Sequence, residues 1–188
     1  MSKKKYWLSE YDYTDSDALL CLAKAALDLR RQRRCYEVVA AFVIAFEEQR
    51  FFGNIFHDLL QHGIVQHQVL NSIANIGYQK VRALVLSALE KPTDYPDYHI
   101  KSLLRATAGL VNNIAANDLI AAFLLAAESA ADFAAIDWQR LLDLKIISDE
   151  RLLITIKMMS ERSYVNARQV VEGVLIADKI CDYEIEFV

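Results

Sequence analysis

The residues best suited to metal chemistry are three histidines in the first half of the chain. His57, His62 and His67 are spaced by five residues. Zinc ligands on one helix face need a spacing of three or four residues. A step of five residues turns an α-helix by about 140°, so the three side chains diverge. We therefore expect no metal site and no cofactor.

Carboxylates and one cysteine offer the remaining catalytic chemistry. Glu47 and Glu128 occupy equivalent positions of a duplicated sequence, which favours a structural role over acid–base catalysis. Cys35 follows a run of arginines that would favour the thiolate, but no histidine lies near it in sequence to act as a base. The chain also lacks the glycine-rich phosphate loops and the G-x-S-x-G motif. No catalytic residue is assigned.

The arginine run is the clearest charged feature. It contains Arg30, Arg31, Arg33 and Arg34. Such a cluster can contact phosphates, and some helical-repeat proteins bind nucleic acid in this way. The chain as a whole carries a net charge of −4, however, and the cluster has no aromatic residues interleaved with it. A contact with an acidic protein partner, or with the acidic segment Glu10 to Asp17 of the same chain, is the preferred interpretation.

Aromatic residues supply the other candidate binding surface. Tyr95, Tyr98 and His99 lie in the only proline-containing segment, and Tyr11 and Tyr13 lie near the start of the chain. Tyrosine provides contact area at a small entropic cost, so clusters of this kind are typical of interfaces. We predict that these residues and the arginine run contact a partner protein. The alternative is that the aromatic rings pack on their own helices.

The elements that would position these residues are helices. A polar residue followed by an apolar, alanine-rich stretch recurs four times: Glu37-VVAAFVIA, Lys80-VRALVLSA, Asp118-LIAAFLLA and Gln169-VVEGVLIA. Each copy follows another apolar helical stretch, which indicates recurring helix pairs. The predicted fold class is all-α, built from stacked antiparallel helix pairs in two pseudo-equivalent halves.

The two halves are related by a duplication. Phe42 and Phe123, like Glu47 and Glu128, are separated by 81 residues, and other apolar positions repeat at 81 or 82.

The domain prediction follows from this duplication. It comprises a polar and aromatic segment 1–14, one helical domain 15–180 with halves 15–91 and 99–180, and a tail 181–188.

One unit resembles an ankyrin repeat. In the stretch from Gln68 to Leu89, the positions that match the ankyrin pattern are Leu70, Ala74, Gly77, Val81, Leu84 and Leu86. The T-P-L-H turn is replaced by QVLN, and a HEAT-like or irregular α/α stack is equally compatible. The resemblance implies recognition of a protein on one face and brings no catalytic residues.

Composition bounds the function classes. Of 188 residues, 54% are hydrophobic, and no apolar stretch is long enough to cross a membrane. Three cysteines without a C-x-x-C pair fit a reducing cytoplasm. We predict a cytoplasmic, non-catalytic protein-binding scaffold, with an inhibitor or immunity-type protein as one form. Two alternatives stay open: a helical enzyme with a dispersed interior site, and a nucleic-acid-binding helical repeat. Self-association also stays open.

Overall fold

Ten α-helices form the part of the chain that the computed structural model describes, which is residues 10–31, 34–51, 54–112, 116–149 and 161–177. They are α1 (Glu10–Arg31), α2 (Cys35–Ala45), α3 (His57–Gln61), α4 (His67–Ile76), α5 (Tyr78–Glu90), α6 (Tyr98–Ala108), α7 (Ala116–Ala126), α8 (Ala130–Ala134), α9 (Trp138–Asp143) and α10 (Glu161–Ala177). No β-strand occurs in these ranges, so the all-α class is confirmed. None of the described helices is long and apolar enough to span a membrane.

The first helix is longer than the sequence predicts. It begins at Glu10, within the predicted polar segment 1–14, because neither glycine nor proline interrupts the sequence from there to Arg31. Residues 10–14 of that segment are therefore helical. Residues 1–9, residues 150–160 of the predicted helical domain and the predicted tail lie outside the described residues.

Two apolar helices, α2 and α7, form the centre of the fold. Every residue is buried from Val38 to Ala45 and from Asp118 to Ala126. The rings of Phe42 and Phe123 stack between the two helices, with 4.3 Å between their centroids. A helix that is apolar on all sides must be covered on all sides, so the other helices surround this pair.

The halves pack around each other with pseudo-two-fold symmetry. Helix α1 packs against α7, and α2 packs against α6, so each half covers the other half's central helix. The contacts of α5 with α6 and of α10 with α1 repeat this exchange, as do those of α3 with α7 and of α9 with α2. Each of these contacts thus has a counterpart between the corresponding helices. The packing order differs from a serial stack, in which each repeat touches only its neighbours.

The C-terminal end of each central helix is held by a Tyr-x-x-x-Arg pair on a surrounding helix. On α5, the Tyr78 hydroxyl donates to the carbonyls of Val43 and Phe46, and Arg82 lies 3.5 Å from the carbonyl of Ile44. The last carbonyls of a helix have no partner within the helix, and these ones are buried, so side chains must satisfy them.

The second half repeats this arrangement on α10. The Tyr164 hydroxyl donates to the carbonyl of Ala127, and Arg168 donates to that of Leu125 at 3.3 Å. Burial raises the pKa of Tyr164 to about 12, so its phenol stays protonated and able to donate. These pairs align α5 with α10 at a separation of 86 residues. The polar residues Lys80 and Gln169, which begin the recurring apolar stretches, instead align the same two helices at a separation of 89 residues.

Candidate functional site

The most exposed aromatic residue of the described chain begins helix α6. Tyr98 is 71% exposed, and its ring meets the His99 ring edge-on at 5.3 Å between centroids. Asp97 caps the helix by accepting hydrogen bonds from the backbone N–H groups of His99 and Ile100. The Ile100 bond is the main reason that the pKa of Asp97 is lowered. This cap fixes the start of α6, so Tyr98 projects from a rigid position.

His99 ties this position to the core. Its Nδ1 lies 3.0 Å from the hydroxyl of Tyr36 on α2, and the two rings stack at 6.3 Å between centroids. Burial is the main cause that raises the pKa of Tyr36, so its phenol is neutral and hydrogen-bonds the ring of His99. His99 therefore has a positioning role beneath Tyr98.

Two cations share the exposed face of α6 with Tyr98. Lys101 and Arg105 follow it by three and seven residues, which places all three on one side of a helix. Lys101 pairs with Asp94 at 2.9 Å, and this hydrogen bond is the main cause that lowers the pKa of Asp94. We call Tyr98, Lys101 and Arg105 the Tyr98 surface. Tyr95, also predicted to contact a partner, instead packs partly buried against the core.

Of the arginine run, only Arg34 has a described side chain. Arg33 lies outside the described residues, and only the helical backbone is described for Arg30 and Arg31, as for Tyr11 and Tyr13. Arg34 is turned inward, where it bridges the starts of the two central helices. Its Nε lies 3.1 Å from Asp118 and its Nη1 lies 3.4 Å from Glu37.

The two carboxylates that Arg34 contacts occupy equivalent positions in the duplicated sequence. Glu37 and Asp118 are equivalent residues, 81 positions apart, in the first turns of α2 and α7. One guanidinium group contacts both carboxylates. Asp118 is only 7% exposed, and burial raises its pKa to about 6 against the opposing attraction of Arg34. Arg34, predicted as part of a partner-binding arginine run, thus has a structural role in linking the two central helices.

A pocket opens between the halves at the other end of the central helices. Its volume is about 160 Å³, and it is lined by Phe46, Arg50, Asn54, Ile55, Ala126, Glu128 and Asp132. Asp132 accepts a hydrogen bond from the Ser129 hydroxyl at 2.9 Å, and Ser129 caps α8. One of the two lining carboxylates is therefore held in a helix cap, where it serves the fold.

The remaining candidates for catalysis are dispersed. His57 and His67 begin α3 and α4, and His62 follows α3. Within the described ranges, no three metal-binding side chains come together. Cys35 is buried, and burial raises the pKa of its thiol. Burial therefore disfavours the thiolate form that an activated Cys35 would need.

Sequence reasoning missed the residues that hold the site in place. Tyr36 lies within an apolar helix and shows no pattern that pairs it with His99. The Tyr78/Arg82 and Tyr164/Arg168 pairs did leave a signal, because Y-x-x-x-R occurs at both positions with one offset. The offset of these pairs is 86 residues, whereas that of the central helices is 81, so a search for repeats at a single separation misses the pairs.

Comparison with protein families, with curated proteins and with solved structures gives no match to this chain.

Proposed function

We propose that this protein is a non-catalytic scaffold that binds another protein through the Tyr98 surface. The observation that carries the proposal is the 71% exposure of Tyr98 on a capped helix whose next residue is anchored to the core. An exposed aromatic side chain lowers the solubility of a protein. A residue held on a rigid helix start loses little conformational entropy on binding. Both considerations favour a contact residue.

The chemistry of the surface indicates what the partner carries. Lys101 and Arg105 flank the aromatic ring along α6, and Arg105 is exposed. A partner that matches this face offers an apolar recess for the ring of Tyr98 with carboxylates beside it. An inhibitor or immunity-type protein would use such a face to cover an acidic region of its partner.

The test compares capture of partners by three forms of the chain in cells of its source. Tyr98→Ser removes the aromatic anchor. Val111→Ser is the matched control, because it removes an exposed apolar side chain just beyond the other end of α6. We expect a protein that is captured by the wild type and by the Val111→Ser variant, and lost with Tyr98→Ser.

The purified pair then gives the magnitude. Removing a buried interface tyrosine costs about 2 kcal/mol, which corresponds to a dissociation constant about 30-fold higher. The proposal fails if the Tyr98→Ser protein binds every captured partner as tightly as the wild type does.

The pocket between the halves keeps one alternative open, a helical enzyme with a dispersed site. Arg50 from one half faces Glu128 and Asp132 from the other across it. The Glu128→Gln variant separates the two functions. The scaffold proposal expects unchanged partner binding in this variant, whereas the enzyme alternative expects a loss of turnover.

A further inference from the structure

The last described helix, α10, carries two exposed apolar residues. Ile176 is 76% exposed and Val165 is 47% exposed. They are eleven residues apart, which brings them to within about 20° of each other around the helix at a separation of about 16 Å. Gln169 and Glu172 lie between them on the same side. We call these four residues the α10 stripe.

The equivalent helix in the other half shows that the fold does not require these apolar residues. The alignment at 86 residues places Gln79 opposite Val165 and Glu90 opposite Ile176. Both α5 residues are exposed, as are their α10 counterparts. The fold therefore accepts polar side chains at both positions. Of these two described helices, only α10 carries the apolar pair, and it leaves both side chains exposed.

We propose that a second copy of this chain covers the α10 stripe, with the two α10 helices antiparallel about a two-fold axis. Such an axis passes between residues 170 and 171. It sets Val165 of one copy against Ile176 of the other, at both ends of the contact. It also sets Gln169 against Glu172, so the amide N–H group of Gln169 donates to the carboxylate.

The order of residues along the stripe favours a second copy over an unrelated partner. An isologous contact must be complementary to itself. The stripe satisfies this condition, because it has an apolar residue at each end and one donor and one acceptor between them. Arg168 lies 2.7 Å from Glu172 on the same helix and also pairs with Asp58, so one guanidinium group holds both carboxylates in position.

The size of the contact sets the expected strength. A single helix pair buries less than the roughly 1,200 Å² of the smaller stable interfaces. We expect a dimer with a dissociation constant on the order of 10 µM, visible only at high protein concentration. This association uses a helix other than α6, so it does not depend on the Tyr98 surface.

The first experiment is sedimentation equilibrium over a hundredfold range of concentration. The double variant Val165→Gln, Ile176→Glu introduces the residues that α5 carries at the equivalent positions, so we expect it to fold. Its dissociation constant should rise at least tenfold. The Tyr98→Ser control, which removes another exposed apolar side chain, should leave the dimer unchanged. A wild-type monomer at every concentration overturns the proposal, as does a double variant that dimerises equally well.

A cross-linking experiment tests the antiparallel arrangement separately. In a background with Cys21→Ser and Cys181→Ser, Val165→Cys is placed on one chain and Ile176→Cys on another. A short bismaleimide should join the two chains in a mixture. Either chain alone should remain unlinked, because identical positions lie far apart in the antiparallel pair. Equal cross-linking of the separate chains rejects this arrangement.

Discussion

Arg34 immediately precedes one central helix and pairs with Asp118 in the first turn of the other, with 3.1 Å between Nε and Oδ2. The same guanidinium group reaches Glu37 on its own helix at 3.4 Å. The two acids are equivalent in the duplicated sequence, so a single unduplicated cation joins the halves. Because Asp118 is buried, this contact makes the stability of the fold depend on pH.

Lowering the pH from 7 to 5 should stabilise the protein through Asp118. Its folded-state pKa is raised to about 6, whereas an unfolded aspartate titrates near 3.9. Between these values the folded chain binds more protons than the unfolded chain, so stability falls as the pH rises. We expect the free energy of unfolding to gain about 1 kcal/mol from this group on going from pH 7 to pH 5.

Urea unfolding followed by circular dichroism at the two pH values measures this gain. Asp118→Asn should remove the increment, whereas Glu90→Gln, which changes an exposed carboxylate, should keep it. If the Asp118→Asn protein shows the same difference between pH 5 and pH 7 as the wild type, Asp118 does not titrate as expected.

Removing the hydroxyl groups that hold the central helices should destabilise the fold. Tyr78→Phe leaves the carbonyls of Val43 and Phe46 without this donor, and Tyr164→Phe does the same to Ala127. A buried polar group left without a partner costs about 1–3 kcal/mol. Urea unfolding should show the larger loss for Tyr78→Phe.

The control for these hydroxyl groups is Tyr98→Phe, which changes an exposed ring and should stay within about 0.5 kcal/mol of the wild type. Unchanged stability of both buried variants would show that water satisfies the carbonyls instead.

The stacked rings at the centre should act as a unit. Phe42→Ala and Phe123→Ala should each lower the free energy of unfolding by about 3–5 kcal/mol, because each opens a cavity in a close-packed core. The double variant should depart from the sum of the single variants by about 0.5–1.5 kcal/mol, since the rings touch. Strict additivity in a double-mutant cycle would contradict their direct contact.

Cys35 should resist modification in the folded protein. Its thiol is buried and its pKa is raised by burial, whereas Cys21 is exposed. Iodoacetamide at pH 8, followed by peptide mass spectrometry, should label Cys21 in minutes and Cys35 only after addition of denaturant. Comparable rates at the two thiols under native conditions would refute this assignment.

Periodicity predicted the all-α class because helix formation depends on local patterns. The stretches from Glu37 and from Asp118 read alike, and they form equivalent helices. The partner of each helix was not predictable in the same way. The packing of α6 on α2 is a long-range contact. Any of the apolar, alanine-rich helices is suited to make it, so the sequence pattern does not select one.

The candidate site was predicted in part. Exposure of Tyr98 follows from its place at the start of a helix after a proline-containing segment. The inward turn of Arg34 does not, since it requires Asp118 to lie beside it across 84 positions of sequence. Net charge and clustering suggested that this arginine lies at a binding surface, whereas in the fold it pairs with the buried Asp118.

The exchange of partners between the halves has a consequence for synthesis on the ribosome. Helix α2 emerges early, but α6 and α7, which cover it, follow some 60 to 80 residues later. Until then a helix composed almost wholly of apolar residues lacks two of the helices that cover it. The nascent protein thus passes through a stage in which exposed apolar surface can bind chaperones. A protein truncated between the halves should aggregate for the same reason. Supplying the missing half as a separate polypeptide should rescue it.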